Sequence, residues 1–131
     1  MSKVMLMKTE KLIGYPLDYA VAKCLGKEKT WGNSSLSPHE FFCGIRYSSS
    51  WEYAGPLIEQ ARIEIRYYTN MIVAGIWYRD GIGSDEMLYR SAGETALIAC
   101  MRCFVKSKLG NYVDIPQTII ELEGVDEKES F

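Results

Sequence analysis

The sequence predicts an α+β fold in which a small antiparallel sheet is packed by helices, and three stretches predict it. The first is the long helical pattern from Ser91 to Gly110, SAGETALIACMRCFVKSKLG. The second is a stripe at Leu17, Ala20, Val21, Cys24 and Leu25, which recurs at i, i+3, i+4, i+7 and i+8 and marks an amphipathic helix. The third is the alternation of Ile63, Ile65 and Tyr67 with Glu64, Arg66 and Tyr68, followed by Thr69-Asn70 and an apolar run from Met71 to Tyr78, the pattern of a β-hairpin.

In the Ser91–Gly110 stretch, Phe104, Leu97, Met101, Val105, Ile98 and Leu109 fall on one face at 100° per residue, and Ala96, Cys100 and Cys103 widen the apolar arc to roughly 240°. So wide an arc predicts deep burial. Ser91 and Glu94 read as a capping box opening a helix near residues 92 to 109, Gly110 supplies the stop, and Arg102, Lys106 and Ala99 make up the opposite edge. For the helix near residues 16 to 25, Pro16 suits the first turn, Asp18 suits the positive end of the dipole, and Gly26 ends it. In the hairpin, strands near 62 to 69 and 71 to 78 flank a two-residue turn in which Asn70 can take positive φ. The return strand is apolar on both faces, which predicts a central strand covered on two sides.

The remaining segments are read by weaker signals. Val4 to Met7 reads as a short edge strand and Lys8 to Lys11 as a polar connection. Lys27 to Pro38, containing Trp31, is a surface loop. Phe41 to Tyr47 alternates as a strand broken by Gly44, Ser48 to Ala54 is a polar turn, and Gly55-Pro56 opens a short helical turn toward Ala61. Arg79 to Ala92 reads as a linker into the long helix. Val113 and Ile115 look extended, Pro116 opens a last helical turn, and the charged tail from 123 to 131 is expected to fray. All 131 residues are assigned to a single domain.

Composition narrows the function classes. A formal net charge of −2 lacks the broad basic character that supplies non-specific affinity for phosphate backbones, so nucleic acid is disfavoured. Lys23, Lys27 and Lys29 with Arg46 remain as a local basic patch. No run of apolar residues is long enough to cross a membrane, and the start MSKVMLMKTEKLIG lacks the features of a secretory signal; a cytoplasmic location is expected. The four cysteines, Cys24, Cys43, Cys100 and Cys103, fit no paired zinc-ligand spacing and are expected as reduced core thiols with no metal. Asp80-Gly81 with Asp85-Glu86 lacks the oxygen-rich spacing of a calcium loop. The lone His39 is poorly placed for acid–base work, no catalytic residue is assigned, and no cofactor is expected.

Three segments carry a family resemblance: LDYAVAKCLG from Leu17 to Gly26; Trp51 with GPLIE from Gly55 to Glu59; and LIACMRCFVKSKLG from Leu97, leading into VDIP at Pro116. In order and spacing they resemble the phage NinX-like family, which is related to the phage α/β/α sandwich domain. The resemblance implies a phage or prophage origin, expression inside a bacterium, and an α/β/α sandwich-like arrangement. It implies no activity. The chain departs from the family pattern at a shorter serine turn between Tyr47 and Trp51 and at Ala54, where the family has a glycine.

Three kinds of function are weighed on these residues. Nine tyrosines and three tryptophans, several outside the apolar stripes, are the types enriched at interfaces and point to a protein-interaction module with a host or phage protein as partner. A small-ligand or anion site, in a binding domain or an enzyme, is the alternative: Ser49, Trp51, Gly55, Pro56, Glu59 and Arg102 are its candidate residues, with backbone N–H groups at the Gly55-Pro56 helix start facing the ligand. A nucleic-acid accessory role is the third.

Overall fold

The structure, a computed structural model, describes residues 4–27, 46–79 and 85–121. Its strands are β1 (Val4–Lys8), β2 (Glu64–Tyr67), β3 (Ile72–Arg79), β4 (Asp85–Gly93) and β5 (Tyr112–Pro116); its helices are α1 (Gly14–Cys24), α2 (Trp51–Ala61) and α3 (Ala96–Leu109), with a 3-10 turn at Thr9–Lys11 and, as expected after Pro116, helical residues 117–121. The fold is α+β, with two antiparallel sheets: a β1–β5 ribbon, and a three-stranded sheet in the order β2–β3–β4.

The helix α3 joins these parts. It packs on β3 and β4 and also touches α1 and α2, so it is enclosed on more sides than its sequence arc implies. Ala99, Cys100, Met101, Cys103 and Val105 are fully buried, and Arg102, expected on a polar edge, is buried as well. Against them pack Leu17, Ala20 and Val21 of α1 and Ala54 and Leu57 of α2. The predicted α1 stripe is therefore the buried face. Asp18, expected to serve the helix dipole, is fully buried instead. At the far end of α3, the Thr9 hydroxyl donates to the Gly110 carbonyl at 2.6 Å and the Thr9 N–H to the Asn111 carbonyl at 2.8 Å, which ties the ribbon to the helix terminus.

The hairpin forms in the expected register, Tyr67 opposite Ile72, closed by the Tyr68 N–H on the Met71 carbonyl at 2.8 Å. Among the described residues Arg62 alone takes positive φ without being glycine, so the Thr69-Asn70 turn closes without a left-handed Asn70. Strand β3 is central, as its composition predicts. Ile72, Ala74 and Ile76 face α3, whereas no described helix lies over the Val73, Gly75 and Trp77 side; the expected cover on that second face is supplied in part by Arg66 stacking on Trp77.

Three boundaries differ from the sequence reading. The supposed capping box is strand: Ser91 pairs with Ala74 inside β4, and the helix starts four residues later, where Thr95 Oγ1 accepts from the Ile98 N–H at 3.1 Å. Most of the segment expected to be linker is therefore a third strand. Its polar residues hide the period, but pairing with a central strand overrides weak local propensity. Second, α2 begins at Trp51 rather than at Gly55, and Pro56 sits inside it. A proline there removes one donor within the helix, a cost accepted because Ala54 and Leu57 on either side are buried. Third, Arg46 and Tyr47 belong to a turn, while the rest of the expected strand, residues 41–45, lies outside the described residues, as do Trp31, His39, Cys43 and the 123–131 tail.

Gly93 shows how closely α3 seats on the sheet. A Cβ added there would lie 2.6 Å from the Ala99 backbone nitrogen, so Gly93→Ala must push the helix away from β4. A loss of about 1–3 kcal/mol is expected in chemical denaturation, and an unchanged midpoint would show that the helix yields freely.

Candidate functional site

The predicted site residues do not form one cluster. Arg46, Tyr47 and Ser48 make a turn that is fastened to α1 by the buried Asp18 carboxylate, which accepts from Arg46 Nε at 2.5 Å and from the Ser48 N–H at 2.8 Å. Burial pushes the Asp18 carboxyl above its ordinary pKa, with the Ser48 and Arg46 donors pulling the other way. The Arg46 guanidinium also lies 4.1 Å from the centre of the Tyr15 ring, and Tyr47 packs edge-on against Tyr53 at 6.2 Å. Arg46 is thus engaged in the fold rather than presented as part of a basic patch.

This fastened turn delivers Ser49 and Trp51 to the rim of a cleft of about 720 Å³, completed by Tyr67 and Ile72 of the hairpin and by the first turn of α3. Trp51 is 54% exposed and Tyr67 is 70% exposed. Both are large rings held at one opening. Gly55, Pro56 and Glu59 are not in its lining; they lie further along α2, with Pro56 and Glu59 exposed. Because Gly55-Pro56 is mid-helix, the backbone N–H groups of an anion-holding helix start are absent there.

Arg102 is separated from this cleft. Its Nε donates to the Leu12 carbonyl at 2.8 Å and its Nη1 to the Ala92 carbonyl at 2.7 Å, so the guanidinium bridges the segment before α1 to β4. Burial pushes its pKa below the ordinary arginine value, with Glu94 and Glu10 opposing that shift.

A second set of depressions was not anticipated from the sequence. Glu10, on the 3-10 turn, lines four adjoining hollows that run from the Lys106 end of α3 and the ribbon along β4 to the Arg66–Trp77 face of the sheet, the two largest of about 660 and 550 Å³. Lys106 Nζ donates to Glu10 at 2.6 Å and to the Arg90 carbonyl at 2.9 Å, and that ion pair holds the Glu10 carboxyl below its ordinary pKa. On the sheet floor Trp77 donates its indole N–H to Glu64, and the Arg66 guanidinium sits 5.2 Å from the Trp77 ring centre. Alternation along β2 marks Glu64, Arg66 and Tyr68 as one face in the sequence. Arg90 could not be added without knowing that β4 exists.

The thiols of Cys24, Cys100 and Cys103 are free, and burial pushes each up to about 12. At neutral pH they are protonated and unreactive. Denaturing thiol titration is expected to count four, Cys43 included, whereas native labelling of the three helical thiols should be slow; rapid native labelling of Cys100 or Cys103 would contradict their burial. Among the described residues no three His, Cys, Asp or Glu side chains converge as metal ligands, and no described helix is long and apolar enough to cross a membrane.

No curated protein matches the chain. A family model described as "Bacteriophage P22, NinX" matches residues 8–108, a span that takes in the Trp51 cleft and most of the Glu10 hollows together with α1, α2, α3 and the three-stranded sheet. With the match covering most of its length, the chain belongs to the bacteriophage P22 NinX family.

Proposed function

We propose that this phage-family protein is a non-enzymatic protein-interaction module, acting in the cytoplasm of the bacterial host, that captures a host or phage protein at the Trp51–Tyr67 cleft. The observation that supports the reading is the pair of largely exposed aromatic rings at one opening of a fastened, well-packed scaffold. Exposed tryptophan and tyrosine beside a recess are the residue types that dominate interface energetics, and their few rotatable bonds keep the entropic cost of docking small. Ser49 at the rim and the apolar floor of Ile72 and Leu97 supply the mixed chemistry of an interface.

The test is a paired pull-down from host extract made with and without phage expression, using the wild-type chain and a Trp51→Ala/Tyr67→Ala variant. Retention of a defined partner by the wild type and its loss from the variant, with the unfolding midpoint unchanged, is the expected outcome. If both proteins retain the same partners to the same extent, the cleft is not the interface.

A further inference from the structure

We propose that the groove around Glu10, which runs from the Lys106 end of α3 along β4 to the Arg66–Trp77 face of the sheet, binds single-stranded nucleic acid. Overall charge points the other way, since the chain carries −2, but what a polyanion meets is local charge. Lys8, Arg66, Arg90, Lys106 and Arg102 all line these hollows, against Glu10 and Glu94, with Glu64 behind Trp77. Three of the cations are already committed, Lys106 to Glu10, Arg102 to backbone carbonyls and Arg66 to Glu64 at 3.3 Å. Arg66 stays exposed beside its Glu64 partner, and Arg90 and Lys8, both exposed, carry the remaining positive charge along the groove.

The aromatic residues decide what kind of polyanion fits. Trp77 and Tyr68 lie on the groove floor and Tyr112 on the ribbon side, with Tyr68 and Tyr112 each about half exposed. The indole is fixed from its edge by Glu64, and the Arg66 guanidinium is already stacked over it, so an unpaired base adds to an existing stack instead of building one. An acidic peptide would use the cations but gain little from three planar rings. A duplex keeps its bases stacked inside and cannot bring them to a recessed floor. Cations along a groove with rings between them are the arrangement that single strands use, with phosphates on the charges and bases on the rings.

The proposal is independent of the Trp51 cleft, which opens on the α3 side of the sheet. Anisotropy of fluorescein-labelled oligothymidylate and oligouridylate, titrated with the full-length chain, tests it and shows whether DNA or RNA is preferred. Saturable binding is expected at about 50 mM salt and should weaken by about tenfold at about 200 mM, the change for two or three phosphate contacts on a single strand. Arg66→Glu/Arg90→Glu, both exposed and expected to fold as judged by circular dichroism, should lower affinity at least tenfold, whereas Trp77→Leu should weaken it and Trp77→Phe should retain most of it. Trp51→Ala should bind as the wild type does. The proposal fails if no saturable binding occurs at low salt, if the charge-reversal variant binds unchanged, or if Trp51→Ala abolishes binding. It also fails if polyglutamate or a duplex of matched charge competes as well as the single strand does, the polyglutamate result pointing instead to an acidic protein partner.

Discussion

Replacing Met101 with alanine is expected to lower the unfolding free energy by about 2–5 kcal/mol, the range for removing a large apolar side chain from a core that collapses incompletely. Met101 is fully buried in the middle of α3, the helix that β3, β4, α1 and α2 all contact. It belongs to one core cluster with other fully buried residues: Cys100 and Cys103 on the same helix, Leu17 and Val21 on α1, and Ala74 on β3. Few of these can move inward without loosening another contact. Leu97→Ala should cost less than Met101→Ala, because Leu97 lies at the floor of the Trp51 cleft, where water can fill part of the vacated space. Urea denaturation checks both; the expected signature is a lower midpoint with an unchanged slope, since the surface exposed on unfolding is nearly the same. Typical domains have about 5–15 kcal/mol in total, so the Met101 variant should be measurably unfolded at moderate temperature. A loss below about 1 kcal/mol would mean that α3 is not the packed centre of the fold.

The parts of this fold that were legible in the sequence are those held by their own periodicity. The stripe of α1, the apolar arc of α3 and the alternation of the hairpin are local patterns, and each appears close to where it was expected. The α+β class follows from those three elements. Strand β4 was not legible, because DEMLYRSAG has neither clean alternation nor β-branched residues and owes its conformation to the central strand beside it. The start of α2 was misplaced for a related reason: Gly-Pro is a strong local helix-start signal, but buried Ala54 and Leu57 carry the helix through it. Of the candidate site, Trp51 and Ser49 could be found because a polar turn with a bulky ring is conspicuous in sequence. The Glu10 groove could not. Its members come from the 3-10 turn, β2, β4 and α3, segments brought together by sheet pairing that no spacing in the chain records. The Asp18–Arg46 ion pair is hidden likewise, since in sequence Asp18 reads as a partner of its own helix dipole and Arg46 as part of a basic patch.

The largest reversal concerns Arg102, which the helical wheel places on a polar edge where its removal would leave stability nearly intact. The structure leads to the opposite expectation: Arg102→Ala should cost about 2–4 kcal/mol, close to Met101→Ala, since hydrogen bonds from a charged donor contribute more than neutral ones and stranded acceptors lose their partners. The Leu12 and Ala92 carbonyls are those acceptors, one before α1 and one in β4, so the guanidinium clamps two segments 80 residues apart in sequence across one buried turn of α3. Arg102→Lys should recover only part of the loss, because a single ammonium on a flexible stem does not reproduce two donors in a fixed fork. Trp51→Ala provides the contrast. At 54% exposure its truncation should change stability by no more than about 0.5 kcal/mol, the usual range for surface positions. Thermal and urea unfolding of the three variants should therefore order them with Arg102→Ala least stable, Arg102→Lys intermediate and Trp51→Ala near the wild type. If Trp51→Ala unfolds the chain as severely as Met101→Ala, the ring belongs to the core and the interaction cleft loses its main support; if Arg102→Ala is harmless, its two carbonyls find water, and the clamp across α3 is not what holds β4 to the start of α1.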